Sequence, residues 1–320
     1  MDKRRINGPP SGTIPPVYTY GLNRENGPVP PQRPLRARTP KELRKIYLTT
    51  GVIPSASGSA YFELQPSPNE ASSDSLVAPS SSLKLLCSVN GPKPLPRSAP
   101  FSPNLLLSTH VKYAPFASRR RRGYIRDMTE KDLGVHLENA LRGAIISDRW
   151  PKSGLEVTVT ILEGEDDRWW GDILASEPLA AADGWGMMNV LASCITVASA
   201  AIADARVDCL DLVAGGVAAL VEEAPRSKDQ TPQSNRWALV LDPDPAEHRN
   251  ICAVCVVGYM PGRDEITELW LKGELPGIAS NTAENNSHDH DHDALIDGAV
   301  AAAKAAQLVL IEAAKESPAQ

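Results

Sequence analysis

The stretch GWGMMNVLASCITVASAAIADARVDCLDLVAG, Gly184 to Gly215, decides the architecture. Its first 20 residues, through Ala203, carry no charge. That is nominally long enough to span a bilayer. The run is rich in Ala and Ser, however, and Asp204, Arg206, Asp208 and Asp211 follow at once. Small residues on every side suit a helix packed closely on several faces within a soluble domain. We therefore expect a buried helix over Val190–Ala205 and no membrane association. The apolar run LDLVAGGVAALV, from Leu210, opens a new sheet behind it.

Strand patterns lie on both sides of this helix. KIYLTTGVI (Lys45–Ile53), SAYFELQ (Ser59–Gln65), LKLLCSVNGP (Leu83–Pro92) and NLLLSTHVKYA (Asn104–Ala114) come first, with turn residues between them. Four successive strands with hairpin-length links predict an antiparallel sheet. A helix should begin near Thr129, with Thr129 and Asp132 at its cap, because Leu133, Leu137, Ala140, Leu141 and Ala144 recur at helical spacing. GLEVTVTILE (Gly154–Glu163) alternates as a strand. RWALVLDP, ICAVCVVGYM and ITELWLKGEL are further strands, and a last helix runs from about Asp293 to Lys315. The order strands, helix, strand, helix, strands, helix predicts an α+β fold with a repeated sheet-plus-helix plan.

Residues 1–35 hold eight of the 28 prolines and should form an extended tail ahead of one domain at 36–316. Polar insertions at 66–82, 222–236 and 280–293 read as surface loops. In the last, the alternation His288, Asp289, His290, Asp291, His292 offers metal-binding side chains but reads as solvated. The five cysteines are scattered among apolar stretches, as in an intracellular protein with reduced thiols. Cys252 and Cys255 form a C-x-x-C without a second pair, so we read core residues and expect no metal and no cofactor. Net charge is -6, which excludes a uniformly basic nucleic-acid binder. The charge is lopsided: the first 50 residues hold ten Lys or Arg against three acids. A second basic cluster, Lys112, Arg119, Arg120, Arg121, Arg122 and Arg126, places six cations within 15 residues. Such a cluster suits phosphates without reading sequence, and Tyr113, Phe116 and Tyr124 are interleaved for stacking.

GSAYFEL (Gly58–Leu64), CSVNGPKP (Cys87–Pro94), APFASRRRRG (Ala114–Gly123) and AIADARVDCLDLVAG (Ala201–Gly215) resemble, in order, landmarks of the RNase PH family, over about Arg36 to Ala314. The pairing of GSAYFE with PFASRRRRG is most similar to one subunit type of the eukaryotic exosome ring. The resemblance implies an RNase PH-like fold: one α+β domain, two β-sheets with packed helices. Active members use phosphate to cleave RNA from its 3' end. They need a cationic phosphate cradle at a helix start and acids that hold a metal ion or protonate the leaving group. The cradle positions fall here on Asn189, Val190 and Leu191, and no Lys or Arg occurs from Trp169 to Ala205. Asp242 and Glu247 keep two early acids, but the two catalytic acids fall on His248 and Val254. Asp242, Asp244 and Glu247 read as a solvated turn. No catalytic residue is therefore assigned.

What the resemblance implies instead is a structural subunit of a hetero-hexameric ring of RNase PH-like chains. S1/KH cap subunits, a hydrolytic nuclease and single-stranded RNA would be its partners, in nucleus, nucleolus and cytoplasm. Two other readings are an active phosphorolytic exoribonuclease and a stand-alone RNA-binding or assembly factor on the same fold.

Overall fold

Alternation builds the first sheet. In β3 (Leu83–Pro94), Leu83, Leu85, Cys87 and Val89 are buried, and the residues between them are partly exposed. They lie opposite Leu64, Phe62 and Ala60 of β2 (Gly58–Leu64) on one side, and Ile161, Val159 and Val157 of β5 (Ser153–Glu163) on the other. β1 (Ile46–Thr50) pairs antiparallel with β2, and β4 (Leu106–Tyr113) forms the opposite edge, giving the order β1-β2-β3-β5-β4. The computed structural model describes residues 33–66, 82–118, 125, 127–166, 169, 184–222, 237–248, 250–273 and 289–316.

The expected four-strand antiparallel run stops at β3. β4 pairs in parallel with β5, reached by a crossover through α1 (Met128–Arg142) and a 3-10 turn at Ser147–Arg149. The physical reason is burial. β5 supplies a continuous row of β-branched residues to the core and takes the place beside β3, leaving β4 at the edge. The cap of α1 also differs from the expectation at Thr129 and Asp132. Asp127 occupies the cap, and the Glu130 carboxylate accepts its backbone N–H at 2.8 Å.

The uncharged stretch becomes α2 (Gly186–Asp204), buried along nearly its whole length between the first sheet and a second. The second sheet has the order β7-β6-β8-β9, from β6 (Ala214–Glu222), β7 (Trp237–Leu241), β8 (Ile251–Met260) and β9 (Glu265–Gly273). α3 (Asp289–Glu316) packs on β6 and β8 against a second core cluster. The layers thus run sheet, helix, sheet, helix. Gly215 and Gly216 make this possible: a Cβ on Gly215 would strike the backbone of Ala192 in α2, and one on Gly216 that of Ala299 and Ala303 in α3. Adjacent strand residues face opposite ways, so the pair admits one helix on each side.

Cys255 is buried under α3, and Cys252 is partly exposed near the start of β8. α3 begins at Asp289, earlier than expected, so its first turn takes in residues assigned to the 280–293 loop, while His288 lies outside the described residues. The other two insertions lie outside them almost entirely, at 67–81 and 223–236.

Candidate functional site

Most of the buried charged residues meet where the start of α2, the segment ahead of β1 and the β7–β8 loop converge. Asp242 leaves β7 with a left-handed backbone, φ 49°, which Asp tolerates better than most residues. This turn sends its carboxylate towards Arg44. Asp242 Oδ2 accepts the Arg44 backbone N–H at 2.9 Å and its Nε at 2.8 Å, and Oδ1 accepts Nη2 at 2.7 Å. Arg38 then bridges two acids, donating to Asp242 Oδ2 at 3.0 Å and to Glu247 Oε2 at 2.9 Å. Arg44 Nη1 faces Glu165 Oε1 at 2.5 Å and Asp244 Oδ2 at 3.8 Å. Asn189, in the first turn of α2, donates through Nδ2 to Glu165 Oε2 at 2.6 Å and to the Pro243 carbonyl at 2.5 Å.

Two further arginines hold the loop by its backbone. Arg33 donates to the carbonyls of Ala246 at 2.8 Å and Pro245 at 3.0 Å. Arg36 reaches those of Leu241 at 3.0 Å and Asp242 at 3.2 Å. Arg33 belongs to the stretch assigned by composition to the tail. Fork-shaped guanidinium groups suit such multiple acceptors.

These contacts overturn the reading of Asp242, Asp244 and Glu247 as a solvated turn: they are 8%, 3% and 7% exposed. They also qualify the absence of a cation near the start of α2. Arg44 supplies one from another segment, and Glu165 consumes it. Burial favours the neutral form of Asp242, yet Arg44, with Arg38 behind it, holds its carboxyl well below the usual range. Glu165 is pushed the other way, up to about 7, by burial that Arg44 only partly offsets, with Asp244 and Asp242 adding repulsion. Asp244 is raised for the same reason, burial first, against the pull of Arg44. Burial, more than an imbalance of charge, raises these two acids, since four arginines stand among the four carboxylates.

This set does not fit a divalent cation or a phosphate. The carboxylates are committed to guanidinium groups and backbone N–H donors. His248 is held neutral, its pKa lowered to about 4 by burial and then by Arg36. Val254 is wholly buried in the central core. The adjoining cavity, bordered by Asn189, Asp242, Ser193 and Thr196, is about 40 Å³, room on the scale of one or two waters. We derive no reaction step through a metal here.

Of the residues selected for RNA contact, Lys112 is described, while Arg119, Arg120, Arg121, Arg122 and Arg126 lie outside the described residues, as does Tyr124. Lys112 Nζ is engaged by both oxygens of Glu130, at 3.0 and 2.9 Å, and by the Ile125 carbonyl at 3.2 Å. Tyr113 is a core residue, and Phe116 is 75% exposed. Sequence reasoning missed Arg36, Arg38, Arg44 and Glu165 as a group. The clusters RPLRARTPKELR and DPDPAE were visible, but no local signal pairs charges some 200 residues apart. Glu130 was missed as well, and the signal that could have found it is a Glu three residues after Asp127.

Comparison with known proteins bears on this site. Residues 42–208 match the RNase PH family, described as the 3' exoribonuclease family, domain 1. The chain is 49% identical over 317 residues to the Exosome complex component MTR3 of Chaetomium thermophilum, covering 99% of both chains. It is 29% identical over 296 residues to the Exosome complex component MTR3 of Homo sapiens, covering 88% of this chain and 87% of that one. Rice (Oryza sativa) Rrp46 has a similar fold, with a TM-score of 0.60 at 15% identity over 88% of this chain and 99% of that one.

Proposed function

The chain belongs to the RNase PH family, and from that premise we propose that it is a non-catalytic structural subunit of the RNA exosome ring. One observation carries the catalytic half of this reading. Where the family resemblance would put the phosphorolytic pocket, the protein's own charges pair with one another: Arg44 with Asp242 and Glu165, Arg38 with Asp242 and Glu247, Asn189 with Glu165. Removing a single group that stabilises charge in a transition state costs roughly 10²–10³ in rate. Here the cradle positions carry no cation, the nearby Arg44 is paired with Glu165, and His248 and Val254 stand at the positions matched to the catalytic acids.

The relatives' names support other exosome subunits as partners, and the finer set is our proposal. They are other RNase PH-like subunits in a hetero-hexameric ring, with S1/KH cap subunits on one face and a hydrolytic nuclease on the other. Single-stranded RNA passes between them, and this chain forms part of the channel wall. Phe116 and the arginines at 119–122 are its RNA-contacting residues, and its sites of action are nucleus, nucleolus and cytoplasm.

Two experiments test this. In a single-turnover assay, the purified chain with phosphate and single-stranded RNA should release no nucleoside diphosphate above a blank; release would overturn the non-catalytic assignment. Affinity purification with mass spectrometry should recover RNase PH-like subunits in equal amounts; recovery of the chain alone would favour a stand-alone factor.

A further inference from the structure

We propose that Thr39 is a phosphoacceptor for a proline-directed protein kinase, and that its phosphate draws Arg36 away and releases the segment tying β1 to β7. The proposal does not depend on the reading of the chain as a ring subunit. Residues 33–44 lead into β1, an edge of the first sheet, and lie on the end of β7, an edge of the second. Two backbone amides cross this seam. Leu241 N–H donates to Pro40 O at 2.8 Å, and Arg44 N–H donates to Asp242 Oδ2 at 2.9 Å. Arg36 locks it. Its Nη2 donates to the carbonyls of Thr39 at 3.1 Å, Glu42 at 2.9 Å and Leu241 at 3.0 Å, and its Nη1 to that of Asp242 at 3.2 Å.

Thr39 sits on the outside of this lock. It is exposed, as are Pro40 and Lys41. It opens a tight turn in which Glu42 N–H donates to Thr39 O at 3.1 Å. The Glu42 carboxylate accepts the Thr39 N–H at 3.2 Å and lies 3.5 Å from its hydroxyl. Proline biases the residue before it towards extended backbone, the form in which a kinase takes a substrate segment.

In the transfer, Thr39 Oγ attacks the γ-phosphorus of Mg–ATP and the bond to the β,γ-bridging oxygen breaks. ADP leaves, and the hydroxyl proton passes to the kinase's catalytic aspartate. The product sets a charge of about -2 beside the Glu42 carboxylate, and like charge expels Glu42 from the Thr39 N–H. A guanidinium bonds an ionised phosphate roughly twice as strongly as it bonds a neutral carbonyl. Arg36 therefore leaves the Leu241 and Asp242 carbonyls for the phosphate. The move is short, because Arg36 already holds the carbonyl of the residue that carries the new charge.

The test treats the full chain with Mg–ATP and a proline-directed kinase, maps phosphate by mass spectrometry and follows hydrogen exchange of the Leu241 and Arg44 amides. Phosphate should be found on Thr39, and a chain that carries none there overturns the proposal. Exchange at both amides should rise about tenfold, the scale of one lost hydrogen bond to a charged group. Unchanged or slower exchange in the phosphorylated chain overturns it as well. Thr39→Val keeps Ser102-Pro103, the other Ser/Thr-Pro pair among the described residues. That variant, treated identically, should show no rise, and a rise equal to wild type defeats the assignment to Thr39. Arg36→Met should raise exchange by itself and leave phosphorylation little to add. A further rise as large as in wild type shows that the phosphate does not act through Arg36, and the proposal falls.

Discussion

The chain concentrates charge in two places and treats them oppositely. At the β7–β8 loop, three acids are met by arginines from the chain's own beginning, and the whole cluster is buried. Around Glu130 a single buried acid ties the end of β4 to the start of α1 and pairs with Lys112. The first arrangement uses complementary charge to close a site. The second uses one carboxylate to join a strand end to a helix start. Opposite charge within one chain therefore does not show by itself whether a cluster is a binding surface. Burial of the partners decides it.

The comparison breaks most visibly at Arg44. Arg44→Met should leave Asp242 and its neighbours buried without their cation, at a cost of ~3–5 kcal/mol in urea denaturation. A loss below about 1 kcal/mol would mean that the cluster is not closed to water. The next effect is a pH dependence. Glu165 has a folded-state pKa raised to about 7 from 4.5, so the folded state binds its proton more tightly. Its contribution is present in acid and is lost as pH rises from about 5 through about 7. His248, lowered to about 4 from 6.5, opposes it over the acid part of that range, since its contribution is lost as pH falls below 6.5. The stability of wild type minus that of Glu165→Gln isolates the acid and should fall by a few kcal/mol over that window. A flat difference would show that Glu165 stays ionised throughout.

At the basic segment, Phe116→Ala should leave stability unchanged because the ring is exposed, but weaken RNA binding by the assembled ring by ~1–3 kcal/mol if a base stacks there. The smallest effect belongs to a surface pair. Arg142→Ala breaks an i,i+4 contact with Glu138 on the outer side of α1 and should shift stability by ~0.5 kcal/mol or less. A shift as large as that of Arg44→Met would erase the distinction between buried and exposed pairing.

Much of the fold was legible because its signals are local. The alternation in β3 and β5, the uncharged run that became α2 and the heptad-like spacing in α1 each report their own burial. The place of β4 was not legible. Whether a strand joins the sheet by a hairpin or by a crossover is settled by which neighbour buries more, and that neighbour, β5, comes 40 residues later. The candidate site divides the same way. The expectation that His248 and Val254 stand where the resemblance implies acids came from one segment. The filling of the site by Arg36, Arg38 and Arg44 was not, because ion pairing across about 200 residues leaves no periodic trace.

That separation has a consequence for how the molecule is made. Arg38 and Arg44 leave the ribosome some 200 residues before Asp242 and Glu247. Throughout synthesis of the first sheet and α2, the opening segment has no partner to dock on. Contacts of such high sequence separation form late and slow the search for the native state. The nascent chain thus spends most of its synthesis with an unsecured β1 edge and an uncovered end of the first sheet. Exposed strand edges of this kind are where assembly intermediates aggregate or recruit chaperones. Emergence of the 242–248 turn is the event that lets the 33–44 segment settle.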